Sequence, residues 1–361
     1  MTSVTWPRVL AWRMRRQFLD RPDAASAVDV ARRLGGVQAQ VASAAELAVA
    51  VRRASPEAGE AARALRDERA LVKTWAMRGT LHLLPADAAA AYLALCGTAR
   101  HWEKPSWQKA FGATPADLEA IAAAAARALA DGAVLTREEL TRAVVEETGS
   151  AHLAEVLGSG WGTLLKPLAW WGVLCHGPAR GNRVTFVSPQ ARLPGWTGLP
   201  PADEAARTVV RAYLGAHGPA TPDMFDNWLM RKANRKKDVR SWFAALDGEL
   251  CTVEVDGEPM YLLAEHRDEL LDTGPAAPVR LLGAFDQYVL GAGTGATYLI
   301  PAERRGEVSR TAGWISPVVL HEGRVAGVWR FEDGDATVTT WEHVPPAPLG
   351  AELARVRALA A

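Results

Sequence analysis

A chain of 361 residues exceeds what one compact core ordinarily holds, so two or three packed modules are expected. With 49% hydrophobic and 23% charged residues, and 41 bases against 41 acids, the composition excludes a disordered or fibrous chain and any long-range pull toward a polyanion. No apolar run reaches the roughly 18 residues of a membrane span. Arg8, Arg13, Arg15 and Arg16 near the start come without the separate apolar segment of a secretory signal, so a cytoplasmic protein is expected.

In chain order, Leu10, Met14 and Phe18 recur at the spacing of a buried helical stripe and predict a helix near 7–19. Ser26 is placed to cap a short helix carrying Val30 and Leu34, ended by Gly35-Gly36. Helices near 43–54 and 56–70 follow, broken at Ser55-Pro56. Two apolar, β-branched runs at 72–77 and 80–84 then flank Arg78-Gly79, which predicts a two-residue hairpin with Pro85 opening the next helix. The order repeats. An Ala-rich helix at 115–131 leads to the capping box Thr136-Arg-Glu-Glu139, a third helix near 158–171, and strands at 173–176 and 183–187 across Gly177-Pro-Ala-Arg-Gly181. A third round has helices near 203–216, 221–231 and 237–246, then strands at 249–255 and 259–263 across Asp256-Gly257.

Three helices followed by a hairpin make a winged helix, whose third helix and wing commonly meet DNA. The remainder reads as strands at 279–282, 314–320, 325–331 and 337–343, with His321-Glu-Gly-Arg324 as a tight turn. The expected fold is therefore α+β: winged-helix modules at 1–112, 113–200 and 201–275, and a β-rich region at 276–361 packed on the last module.

Cys96, Cys175 and Cys251 are odd in number and far apart, and read as buried small hydrophobes. The eight histidines are scattered, and no HExxH, C-x-x-C, GxGxxG or GxxxxGK[ST] pattern occurs; Gly291, Gly293 and Gly295 alternate without a following helix. No metal and no cofactor are expected. In a neutral chain, attraction to DNA has to come from local basic stripes, and one is dense: Arg231, Lys232, Arg235, Lys236, Lys237 and Arg240 face one acid, Asp238. With the second wing's Arg180, Asn182 and Arg183, these are the expected phosphate contacts, which position a protein on DNA without reading sequence.

Three strings carry a family resemblance: Leu34-Gly-Gly-Val-Gln-Ala-Gln40, Trp75-Ala-Met-Arg-Gly-Thr-Leu-His-Leu-Leu-Pro85 and Gly283-Ala-Phe-Asp-Gln-Tyr-Val-Leu-Gly291. In this order they resemble the AlkZ/YcaQ-like family of winged-helix DNA glycosylases, over nearly the whole chain. The resemblance implies a C-shaped scaffold of three winged helices around a DNA channel. It also implies excision of bulky or crosslinking N-alkylated purines, often as self-resistance to a DNA-alkylating natural product. Gln38 and Gln40 match the family's catalytic signature of Gln, an apolar residue, then Gln or Asp, in its Gln-ending, AlkZ-like branch. Asp286 is the best-placed carboxylate by family pattern to complement a developing sugar cation; capping a turn or pairing with an arginine are its alternatives. The glycine-rich stretch at 291–296 departs from the charged sequence expected there.

Two glutamines one residue apart share a side of an extended segment, whereas on a helix they would diverge by about 200°. Glutamine takes no proton at neutral pH, but its carbonyl orients a water and its amide donates. That restricts the substrate to a purine alkylated at N7 or N3, already cationic, which departs without protonation. Arg78, Thr80 and His82 are expected on one hairpin face touching phosphate or the adducted nucleotide. Trp170-Trp171 read as core residues or as stacking rings. A bulky adduct further predicts an open channel rather than a base-sized pocket.

The leading reading is thus a monofunctional DNA glycosylase, expected to be a monomer and to act on double-stranded DNA at the nucleoid. The alternative is a non-catalytic winged-helix regulator; a protein-interaction module comes third and leaves the basic cluster unexplained. A regulator needs a recognition helix rich in base-reading side chains, and the expected third helix of the second module has only Lys166 as a long cation.

Overall fold

The computed structural model describes residues 2–158, 162–276, 278–332 and 335–360. Three small three-stranded sheets and one four-stranded sheet lie among helices, which gives the α+β architecture read from the sequence. In the first winged helix, Ser26 Oγ accepts from Asp29 N to start the helix Ala27–Arg33. Helices Ala42–Ala50 and Glu60–Arg66 follow, and the sheet runs Val37–Gln38, Leu81–Pro85, Leu71–Trp75. The hairpin loop is one residue longer than predicted: Ala76 N donates to Thr80 O, so the loop holds the three residues 77–79, with Arg78 and Gly79 both left-handed at φ 58° and 68°. Pro85 ends its strand, and the next helix starts at Ala89.

The second winged helix uses capping boxes at both Thr114/Asp117 and Thr136/Glu139 to start Pro115–Ala128 and Arg137–Thr148. Of the helix expected over 158–171 only Leu165–Trp170 forms, an extra helix Ala151–Gly158 precedes it, and 159–161 lie outside the described residues. Gly162, left-handed at φ 72°, is incompatible with a continuous helix. Strands Cys175–His176 and Thr185–Val187 are joined by Leu135–Thr136. Trp170 is core; Trp171 is half-buried, edge-on to Trp102 at 5.2 Å.

The third winged helix comprises Ala202–His217, Pro222–Met230 and Lys236–Ala244, with strands Leu250–Val255 and Glu258–Leu263. Its sheet gains Thr2–Val4, parallel to Leu250–Val255. The helix Trp6–Arg16 is consequently a two-sided wedge. Val9 and Trp12 pack with Val253 and Leu262, while Leu10 and Met14 pack with Leu282, Tyr288 and Ile300. The β-rich region forms the sheet Arg280–Leu282, Val318–His321, Arg324–Glu332, Asp335–Thr340, and adds an unpredicted helix, Pro346–Ala360. It does not rest on the last module alone. Leu19 and Val51 of the first module share its core, because the apolar face they present would otherwise remain wet.

Cys96 and Cys175 are buried as expected, whereas Cys251 is only half-buried. No described helix is long and apolar enough to cross a membrane, and the described residues hold no cluster of three or more potential metal ligands.

Candidate active site

The site begins with a backbone constraint. Gly36 adopts φ 111°, and a Cβ there would come within 2.8 Å of Leu84 Cδ2, so only glycine lets the chain turn sharply into the edge strand Val37–Gln38. That strand pairs with Leu81–Pro85, Gln38 opposite His82, and Ala39 N donates to Leu81 O at 2.7 Å. Val37 and Ala39 enter the module's core, which leaves Gln38 and Gln40 on the opposite side, as an extended segment demands.

Gln38 lies at the wall of an open crevice of about 410 Å³, where its Oε1 accepts from Arg78 Nη2 at 3.2 Å. Arg78 also donates to Trp228 O at 2.7 Å, so the guanidinium is fixed between the first and third winged helices. Burial, and then the nearby Arg231, lower its pKa to about 10, which leaves it cationic at neutral pH. Thr80, Asn227, Thr294 and Ser309 supply neutral polar groups, and Arg231 and Arg305 two more cations. No Asp, Glu, His or Lys lines this crevice among the described residues. Gln40 is exposed just beyond it, its Oε1 3.5 Å from Leu81 N.

Two expected site residues are corrected. His82 is fully buried behind Gln38, with Nδ1–H directed at Thr80 O at 3.0 Å and Nε2 unpartnered, so it cannot face phosphate. Burial, reinforced by Arg78, lowers its pKa to about 3 and holds it neutral. Asp286 is also buried, in a bidentate pair with Arg52 at 2.8 and 2.7 Å, and its Oδ1 accepts from Tyr288 N to cap the helix Gln287–Ala292. It ties the third string to the segment after the glutamines and has no access to a sugar. Gly291 ends that string for a steric reason: a Cβ would fall 2.0 Å from the ring of His217, whose Nε2 lies 3.4 Å from Leu34 O.

The remaining cations are dispersed. Arg180 and Arg183 are exposed on the second wing, Arg180 paired with Glu139 at 3.0 Å. Arg231 and Lys232 follow the helix Pro222–Met230 in left-handed conformations, φ 56° and 61°, and Lys232 reaches Asp223 at 3.7 Å. Arg235, Lys236 and Lys237 are exposed at the start of the next helix. Of the whole set, the fold gathers Gln38, Arg78 and Arg231 around one crevice. Asn227, Thr294 and Arg305 carried no sequence signal, because the folding of distant segments alone brings them there.

Residues 31–361 match the family model of AlkZ-like DNA glycosylases. The chain belongs to this family. It is 48% identical over 350 residues, 97% of this chain and 94% of the relative, to an interstrand DNA cross-link repair glycosylase of Streptomyces sahachiroi. The solved structure of the DNA glycosylase AlkZ from that organism superposes with a TM-score of 0.96, covering 99% of this chain and 97% of the other at 48% identity.

Proposed function

We propose that this protein hydrolyses the N-glycosidic bond of N7- or N3-alkylated purines in double-stranded DNA, with Gln38 and Gln40 as catalytic residues. The observation that carries the reading is the absence of any Asp, Glu or His along the crevice at Gln38 among the described residues. Such a site cannot protonate a leaving base or ionise a water. It suits a base that is already cationic: the C1′–N9 bond breaks, its electron pair neutralises the purine, and C1′ becomes oxocarbenium-like. Arg78 holds Gln38 Oε1 by one lone pair. The other lone pair accepts from the attacking water, whose proton passes to solvent, and the amides of Gln38 and Gln40 hold the water beside C1′.

Three guanidinium groups would repel that sugar cation if left bare. Phosphates of the bound strand neutralise them, which makes Arg78, Arg231 and Arg305 phosphate contacts. Arg183, Arg235, Lys236 and Lys237 extend the contact along the duplex, with Arg180 released from Glu139. Among the described residues no lysine lines this crevice, so none of them places an amine there for a Schiff base, and the reaction is read as monofunctional. The openness of the crevice suits bulky adducts read without full extrusion. By likeness to the Streptomyces sahachiroi relative, the substrates include purines tethered across the two strands. Self-resistance to a DNA-alkylating natural product is the matching role, performed by a monomer in the cytoplasm at the nucleoid.

The test is the yield of abasic sites from a duplex with one N7-alkylguanine. The Gln38→Ala, Gln40→Ala variant should lose at least about 100-fold in rate, the scale of removing an oriented polar group at a transition state. Equal rates would remove the assigned role.

A further inference from the structure

A second open crevice, of about 660 Å³, shares Arg78 and Arg231 with the first. Its cations are Arg78, Lys104, Lys166, Arg231 and Lys232, and no Asp or Glu lines it among the described residues, in a chain whose net charge is zero. Lys166 is half-buried, and its ammonium has no carboxylate or hydrogen-bond partner among the described residues. Burial and the neighbouring Arg231 both lower its pKa, so the fold holds a cation in unfavourable surroundings with nothing of its own to offset it.

The same crevice is lined by an aromatic pair, Trp107, half-buried against the core, and the exposed Phe111. The helix Pro105–Phe111 buries none of its residues, yet presents Trp107 and Phe111 four positions apart, rings 4.9 Å between centroids. Phe111 is 38% exposed. An aromatic pair with one exposed ring, set beside cations of which Lys166 has no partner among the described residues, is what single-stranded nucleic acid requires, a ring stacking on a base while the cations take its phosphate.

We propose that this crevice is a second nucleotide subsite, which takes an unstacked nucleotide of the damaged strand flanking the lesion. Its base stacks on Trp107 and Phe111, and its phosphate lies on Lys166 and Arg231. Because Arg78 and Arg231 line both crevices, neighbouring nucleotides of one strand can occupy them together. The proposal deepens the glycosylase reading and rests on it for the identity of the damaged strand.

The test is affinity, by fluorescence anisotropy over a salt series, for a duplex containing one tetrahydrofuran abasic analogue. Trp107→Ala should weaken binding about tenfold with an unchanged salt slope, and Trp107→Phe should stay within about twofold of the natural protein. Lys166→Gln should lower the slope of log affinity against log salt by about 0.9. If Trp107→Ala lowers the melting temperature, Phe111→Ala at the more exposed ring repeats the measurement. Binding by all these variants with natural affinity and slope overturns the proposal. Excision of N7-methylguanine by the natural protein is measured in parallel. Excision with unaffected binding variants sinks only the subsite. Absent excision with the expected binding losses sinks the glycosylase reading and leaves a nucleotide site.

Discussion

The Arg52–Asp286 pair separates a structural carboxylate from a catalytic one. Both side chains have zero exposure. Asp286 accepts two guanidinium hydrogen bonds and one from Tyr288 N, while Arg52 also donates to Gln17 O and Ala48 O. Asp286→Ala leaves a buried cation without its counter-charge and a helix without its cap. Breaking such a pair from one side costs about 3–5 kcal/mol, and losing a cap about 1 kcal/mol, with overlap because the same carboxylate serves both. The expected loss is thus about 4 kcal/mol in urea unfolding. An Arg52→Met, Asp286→Leu variant, which removes both charges and keeps most of the volume, should recover most of it. Single-turnover excision by the fraction of Asp286→Ala that remains folded should stay within about threefold of the natural protein. A stable Asp286→Ala that has lost activity a hundredfold would refute the reasoning and return Asp286 to the catalytic apparatus.

Other outcomes follow from the same geometry. Single-turnover excision of N7-methylguanine should be flat between pH 6 and 9, because Arg78 is cationic below about 10 and His82 neutral above about 3; a bell-shaped profile would reveal an acid or base in the site. Stability behaves differently. His82, His176 and His217 each have a folded pKa near 3 against 6.5 when unfolded, so the unfolded chain binds protons that the native state refuses. Each should cost the native state about 1.4 kcal/mol per pH unit as pH falls from 6.5 toward 3, read from unfolding midpoints. Gly36→Ala should disturb the entry to Val37–Gln38 through its φ of 111° and the approach of Leu84, lowering stability by about 1–3 kcal/mol and excision by more than that loss of folded protein explains.

What could be read in advance was whatever local chemistry encodes. Ser26 and Thr136 announce their helices because a side-chain oxygen beside the first turn satisfies a free N–H. The glutamines could be placed on one face because extended backbone alternates. Burial was harder to foresee. His82 alternates with Thr80 along the strand, yet its position opposite both Gln38 and Thr74 in the sheet encloses it. Asp286 reads as a cap from its neighbours alone, but its arginine partner lies 234 residues away. The pairing of Thr2–Val4 with Leu250–Val255 likewise has no local signal, since a three-residue edge strand is specified by its acceptor. The aromatic pair Trp107 and Phe111 carried no signal in the sequence, because only the folded helix shows that Phe111 stays exposed beside a half-buried Trp107.

The central claim is that the crevice serves a leaving group that brings its own positive charge. The most direct measurement compares two duplexes identical except at one base: N7-methylguanine, which is cationic, and 7-methyl-7-deazaguanine, its neutral isostere. Affinity should be similar for both, with abasic product from the first alone. Release of the neutral base at a comparable rate would contradict it.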